Sequence, residues 1–142
     1  MEIQVGEYLI SDDKSLLQMD VIQGFLSRSY WAAKRPFERT AQAIQNSNCY
    51  GVYDEDKKQI GFARVVTDDA TIFYLCDVFV NEDHRGQGIG TRLVAHIFNE
   101  QRYEGMLGLL GTADAHGLYE KFGFMRDAER FMKKPPAWRA DA

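Results

Sequence analysis

Asp77-Val78-Phe79-Val80-Asn81-Glu82-Asp83-His84-Arg85-Gly86-Gln87-Gly88-Ile89-Gly90-Thr91-Arg92-Leu93-Val94 is the stretch that decides the fold. An apolar strand runs into three alternate glycines and then into an amphipathic helix. Glycine lets a chain turn tightly and lets a ligand approach backbone with no Cβ in the way. A helix N-terminus behind such a turn adds unpaired N–H donors and partial positive charge. The stretch therefore predicts an anionic, phosphate-bearing ligand.

The glycine spacing separates the known kinds of phosphate loop. A Walker loop needs a lysine after its last glycine, but Gly90 is followed by Thr91 and Arg92. A dinucleotide fingerprint needs a third glycine; that position holds Thr91 when counted from Gly86 and Leu93 when counted from Gly88. What remains is Arg85-x-x-Gly88-x-Gly90 directly after a strand. It resembles the acyl-CoA pyrophosphate loop of the GNAT N-acetyltransferases, Gln/Arg-x-x-Gly-x-Gly/Ala. Downstream, Ala113-Asp-Ala-His-Gly-Leu-Tyr119-Glu-Lys-Phe-Gly-Phe124 resembles that family's later motif, a short helix ending in Tyr-Glu-Lys-x-Gly-Phe.

Outward from these motifs the remaining elements fall into order. Residues 3–10 read as a first strand, a helix covers at least 21–27, and a second helix runs through 37–46. Residues 49–53 and 59–67 form a hairpin around a polar turn, and 71–80 is a near-continuously apolar central strand. The helix after the glycines runs to about Gln101, 106–110 is a strand, and 114–121 is the short helix, ended by Gly123. Two short closing strands are expected over 124–127 and 130–133, with a mobile tail beyond Pro135-Pro136. The order β-α-α-β-β-β-α-β-α-β-β implies an α/β fold of one mixed central sheet flanked by helices on both faces. That agrees with the GNAT fold: a single acetyltransferase domain over 1–142, its core about 3–134 and its C-terminal tail flexible. Residues 123–134 are short for the family's usual last hairpin.

With 142 residues, 45% apolar and 27% charged, the chain is an ordinary single globular domain. A net charge of -4 argues against nucleic acid or an anionic membrane as partner. Cys49 and Cys76 lie in apolar strand-like runs without metal-type spacing and read as reduced, buried thiols. His84, His96 and His116 have no matching ligand spacing, so no metal is expected. No signal peptide or long apolar span is visible, and a cytoplasmic location is expected.

The resemblance implies acetyl-CoA as co-substrate and a primary amine, a small molecule, as acceptor, the amine attacking the thioester directly in a ternary complex. A protein or peptide amine and a non-catalytic acyl-CoA sensor are the alternatives. A homodimer is compatible with the family. An amine of pKa about 10.4 is roughly 0.04% neutral at pH 7, a penalty of about 4–5 kcal/mol. The family pattern puts the pyrophosphate against Arg85, Gly86, Gln87, Gly88, Ile89, Gly90 and Thr91, with Arg92 as a further candidate charge. It puts the pantetheine arm along the backbone of Val78, Phe79 and Val80. Tyr119 takes the position of the tyrosine that protonates the leaving sulfur; the other reading is a core aromatic with its hydroxyl bonded to backbone. Asp77 is the lone charge between Thr71 and Val80, and a buried carboxylate is costly unless paired or used. It could accept the amine proton, bind the ammonium, relay to water, or satisfy backbone donors. Tyr74 falls where some family members carry a glutamate, which leaves a water relay open. Tyr30 and Trp31, with Arg35 and Arg39 nearby, fall where the acceptor pocket is expected.

Overall fold

The structure, a computed structural model, describes residues 2–139. Six strands form one sheet in sequence order: β1 (Glu2–Val5), β2 (Tyr8–Ser11), β3 (Asn48–Tyr53), β4 (Gln59–Thr67), β5 (Ile72–Val80) and β6 (Leu107–Leu110). The first five are antiparallel, and β6 lies parallel to β5. Helices α1 (Met19–Ser27) and α2 (Phe37–Gln45) cover one face. Helices α3 (Ile89–Phe98) and α4 (His116–Glu120) cover the other. This is the expected mixed α/β sandwich, with a separate apolar core on each face.

Each helix buries the stripe its sequence spacing provides. Ile22, Phe25 and Leu26 of α1 pack with Phe62 and Phe79 of the sheet, and Leu93, Val94 and Ile97 of α3 pack with Val52, Val65 and Leu75. Full burial of one such side chain is worth about 1.5–3 kcal/mol. The start of α1 is tied to β4 by a reciprocal amide pair. The backbone N–H of Gln18 donates to Gln59 Oε1 (2.8 Å), and that of Gln59 donates to Gln18 Oε1 (3.1 Å).

Several elements differ from expectation. Residues 3–10 are two strands rather than one, because Gly6 (φ 58°) lets Gly6-Glu7 close a hairpin in which Val5 pairs with Tyr8. Helix α3 stops at Phe98, and a short 3-10 turn, Gln101–Tyr103, follows. Helix α4 begins at His116, after Thr112 Oγ1 has accepted the N–H groups of Asp114 and Ala115. Neither closing strand forms: among the described residues no strand follows β6. That segment lacks an alternating apolar face to lay on the sheet, and Met125 and Met132 stand 87% and 98% exposed. Within the stretch expected as a tail, Trp138 and Arg139 are half-buried against the cleft, and residues 140–142 lie outside the described residues.

One irregularity of β5 shapes the site. Phe62 pairs with Phe79 and Arg64 with Cys76, so Asp77 and Val78 together oppose the single residue Ala63. Asp77 sits at this bulge with φ 55°. An inserted residue flips the face of everything beyond it. Phe73 and Leu75 accordingly face the α3 side, while Phe79 faces α1 and stacks on Phe25 at 5.0 Å. This is why the run reads as apolar on both faces.

Candidate active site

Strand β6 pairs with β5 only from Ile72 to Leu75 and ends at Leu110. Beyond that point the two strands part, and among the described residues no strand pairs with β5 over 76–80 on its far side. The opening is a cleft of about 1240 Å³ between the α1–α2 connection, the end of β5, the glycine loop and α4. Unpaired strand backbone on one wall is the kind of edge that takes up an extended amide chain.

The structure brings almost every candidate residue to this one cleft. Its walls include Tyr30, Trp31, Tyr74, Asp77, Val78, Phe79, Val80, Arg85, Gly86, Gly88, Ile89, Gly90, Thr91 and Tyr119. Gln87 is the exception: its side chain turns away, and its Oε1 accepts from Tyr8 Oη at 2.7 Å. Arg92 lies with Gln87 beside a smaller depression under the β1–β2 hairpin.

At the glycine loop, Gly88 caps α3 in the left-handed conformation, φ 79°, where an L side chain costs about 1–2 kcal/mol. Gly90 lies within the first turn, where a Cβ would meet only Val80 Cγ2 at 3.6 Å. The left-handed backbone thus accounts for glycine at 88, whereas no local contact calls for it at 90. No side chain caps α3, which leaves its first N–H groups facing the cleft. Arg85 lies over the Phe79 ring at 4.9 Å, and its Nε donates to the Val80 carbonyl at 2.9 Å.

At the other end, Asp77 is the hub of a buried ionic cluster. Arg35 grips it with two bonds, Nη1 to Oδ2 (2.9 Å) and Nη2 to Oδ1 (3.0 Å). Arg64 Nε donates to Oδ2 (3.0 Å), and Trp31 Nε1 donates to Oδ1 (2.9 Å). An ionised carboxylate offers about four acceptor positions, and these bonds fill them. Burial alone would raise the pKa of Asp77, but the bonds and charges of Arg35 and Arg64 outweigh it and hold the carboxyl below its ordinary value. A saturated, acid-shifted carboxylate is a poor base.

Tyr119 is 8% exposed, packed against Phe98 and Phe124. Its hydroxyl has no hydrogen-bond partner among the described residues. Burial first, then Tyr30 and Asp114, push its pKa up, so it stays protonated. Across the cleft Tyr30 Oη accepts the Ala113 N–H at 2.9 Å, bridging the α1–α2 connection to the loop after β6. Cys76 also borders the cleft, but burial pushes its thiol to about 12, so it offers no thiolate nucleophile.

Arg64 and Trp138 were not foreseen. Arg64 is the lone charge between Ile60 and Val66, on the strand beside the one that carries Asp77. Two lone opposite charges in adjacent apolar strands were the available signal. Trp138 carried none; it reaches the site by tertiary return, with Arg35 at 5.8 Å from its ring centre.

Residues 45–126 match the family model for the acetyltransferase (GNAT) domain. A crystal structure of a Xanthomonas campestris pv. campestris protein assigned to the GNAT acetyltransferases superposes with a TM-score of 0.87 at 34% identity, covering 98% of this chain and 100% of that one. A Gibberella zeae protein assigned as an acetyltransferase is 34% identical over 114 residues, 67% of this chain; the chain spans 64% of that relative's length. A more distant fold neighbour, at 17% identity and TM-score 0.65, covering 85% of this chain and 78% of that one, is a GNAT family acetyltransferase from Elizabethkingia anophelis crystallised with acetyl-CoA bound. The chain belongs to the GNAT acetyltransferase family.

Among the described residues no helix is long and apolar enough to cross a membrane, and no group of three or more His, Cys, Asp or Glu side chains is placed to hold a metal ion.

Proposed function

We propose that the protein is an N-acetyltransferase that moves the acetyl group of acetyl-CoA directly onto a small-molecule primary amine. The observation that carries this reading is the unpaired edge of β5 leading straight into the uncapped N-terminus of α3. One cleft thus offers an edge for amides and a terminus for phosphates. The acetyl-CoA bound by the Elizabethkingia neighbour supports the same choice of ligand.

The chain's residues divide the work. Backbone N–H groups of residues 87–91 hold the pyrophosphate, and Arg85 adds charge beside them. Backbone over 78–80 pairs with the pantetheine arm and polarises the thioester carbonyl, a contribution of about 2.7–4 kcal/mol for one well-placed donor. Tyr119 donates its phenolic proton to the departing sulfur as the new C–N bond forms and the C–S bond breaks, then recovers a proton from solvent. Asp77 keeps Arg35, Arg64 and Trp31 in place, and with its acceptor positions filled the amine proton goes to water. Tyr30 and Trp138 wall the acceptor end, which favours a small amine over a protein surface.

The test is free-thiol release from acetyl-CoA across amine classes. Acceptor-dependent release is expected for at least one class of small amine. Bound acetyl-CoA with no release for any acceptor would overturn the transferase reading and leave an acyl-CoA-binding domain.

A further inference from the structure

The acceptor end of the cleft holds more positive charge than Asp77 neutralises. Arg35 and Arg64 both meet the single carboxylate of Asp77, and all three line the cleft. Their side chains are only 14% and 12% exposed. Lys133 and Arg139 also line the cleft, against one further carboxylate, Asp114, in a chain whose net charge is -4. A guanidinium carries about five N–H donors. Arg35 spends two on Asp77; Arg64 spends one on Asp77 and one on Ser47 Oγ. Among the described residues the rest have no acceptor, and Arg139 Nε is buried with no partner there. The spare donors of Arg35 and Arg64 open onto the cleft, where an incoming acceptor can take them. Asp77, its positions full, has none to offer an ammonium.

We propose that the acceptor amine carries an anionic group, a carboxylate or a phosphate, which docks on Arg35 and Arg64. Planar guanidinium forks suit either oxyanion. Trp138, stacked by Arg35, limits the orientation of that fork. Anchoring the anion there holds the amine at the other end of the molecule, free to turn toward Tyr119. The proposal rests on the acetyl-transfer reading and adds the substrate class to it.

Matched amines separate the outcomes: β-alanine against β-alaninamide for the carboxylate, phosphoethanolamine against ethanolamine for the phosphate. Each is assayed by thiol release and, independently of turnover, by calorimetric binding to protein saturated with CoA. At least one anionic member should exceed its neutral partner about tenfold in kcat/KM or in affinity, and the favoured pair identifies the oxyanion. Arg64→Gln, which leaves the Arg35 grip on Asp77, should erase most of that advantage while acetyl-CoA affinity stays unchanged. Neutral members that equal or beat their partners in both readouts would overturn the proposal, and the wild-type comparison decides this even if the variant does not fold. Anion-selective binding without thiol release would sustain the anion site and overturn the transferase reading alone.

Discussion

Removing the charge of Asp77 leaves Arg35 and Arg64 facing each other with no carboxylate between them. Breaking a buried ion cluster from one side typically costs about 3–5 kcal/mol, because the remaining charge stays buried and unpaired. Asp77→Asn should lose an amount of that order in urea unfolding. Because the folded pKa of Asp77 lies below its ordinary value, its contribution is fully present at neutral pH and fades as pH falls below about 4. The acid-side loss of stability should therefore be shallower in Asp77→Asn than in the natural protein. The same depression keeps Asp77 out of the pH–rate profile near neutrality. The acidic limb of kcat/KM should track the pKa of the acceptor amine and move when a less basic acceptor is used. A limb that ignores the acceptor and shifts in Asp77→Asn would restore Asp77 as the base. Tyr119→Phe keeps the ring packing against Phe98 and Phe124 and removes only the proton donor. Turnover should fall about 10²–10⁴-fold, the usual range for a general acid, with acetyl-CoA affinity unchanged; equal turnover would leave Tyr119 as core packing.

The loop and the bulge act as elements. At position 88 the backbone is left-handed, so Gly88→Ala should cost about 1–2 kcal/mol of stability, and Gly88→Glu should in addition set a carboxylate where phosphates are expected. Thermal unfolding separates the two effects: both variants melt lower, but only Gly88→Glu loses acetyl-CoA in calorimetry. Gly90→Ala meets only an ordinary contact with Val80 and should leave the melting temperature nearly unchanged. The strand–glycine–helix sequence was legible because glycine spacing and helical periodicity are local properties. The bulge was not, since it exists only as a count of residues against β4. For the same reason Asp77 could be flagged as a buried charge, but its four donor groups come from three residues on two distant segments, the α1–α2 connection and β4. The two expected closing strands failed where polar residues interrupt the alternation and leave Met125 and Met132 exposed.

At the scale of the molecule, an acidic chain keeps a cationic cleft. Binding of a polyanion must then come from local donors, and it should weaken only in part as salt is raised, since backbone N–H groups are not screened as free surface charges are. The element order from α1 to α4 and the helices on both faces followed from periodicity and two motifs; the return of Trp138 to the site is a long-range contact with no local signature. Because acetyl-CoA would bind the folded state alone, a concentration 100 times Kd should add about 2.7 kcal/mol of stability, visible as a higher melting temperature. The most direct test of the account is hydrogen–deuterium exchange of the full chain with and without acetyl-CoA. Slowed exchange concentrated in the amides of residues 78–80 and 87–91 is the predicted result. Protection confined to other segments, or none at saturating acetyl-CoA, would contradict it.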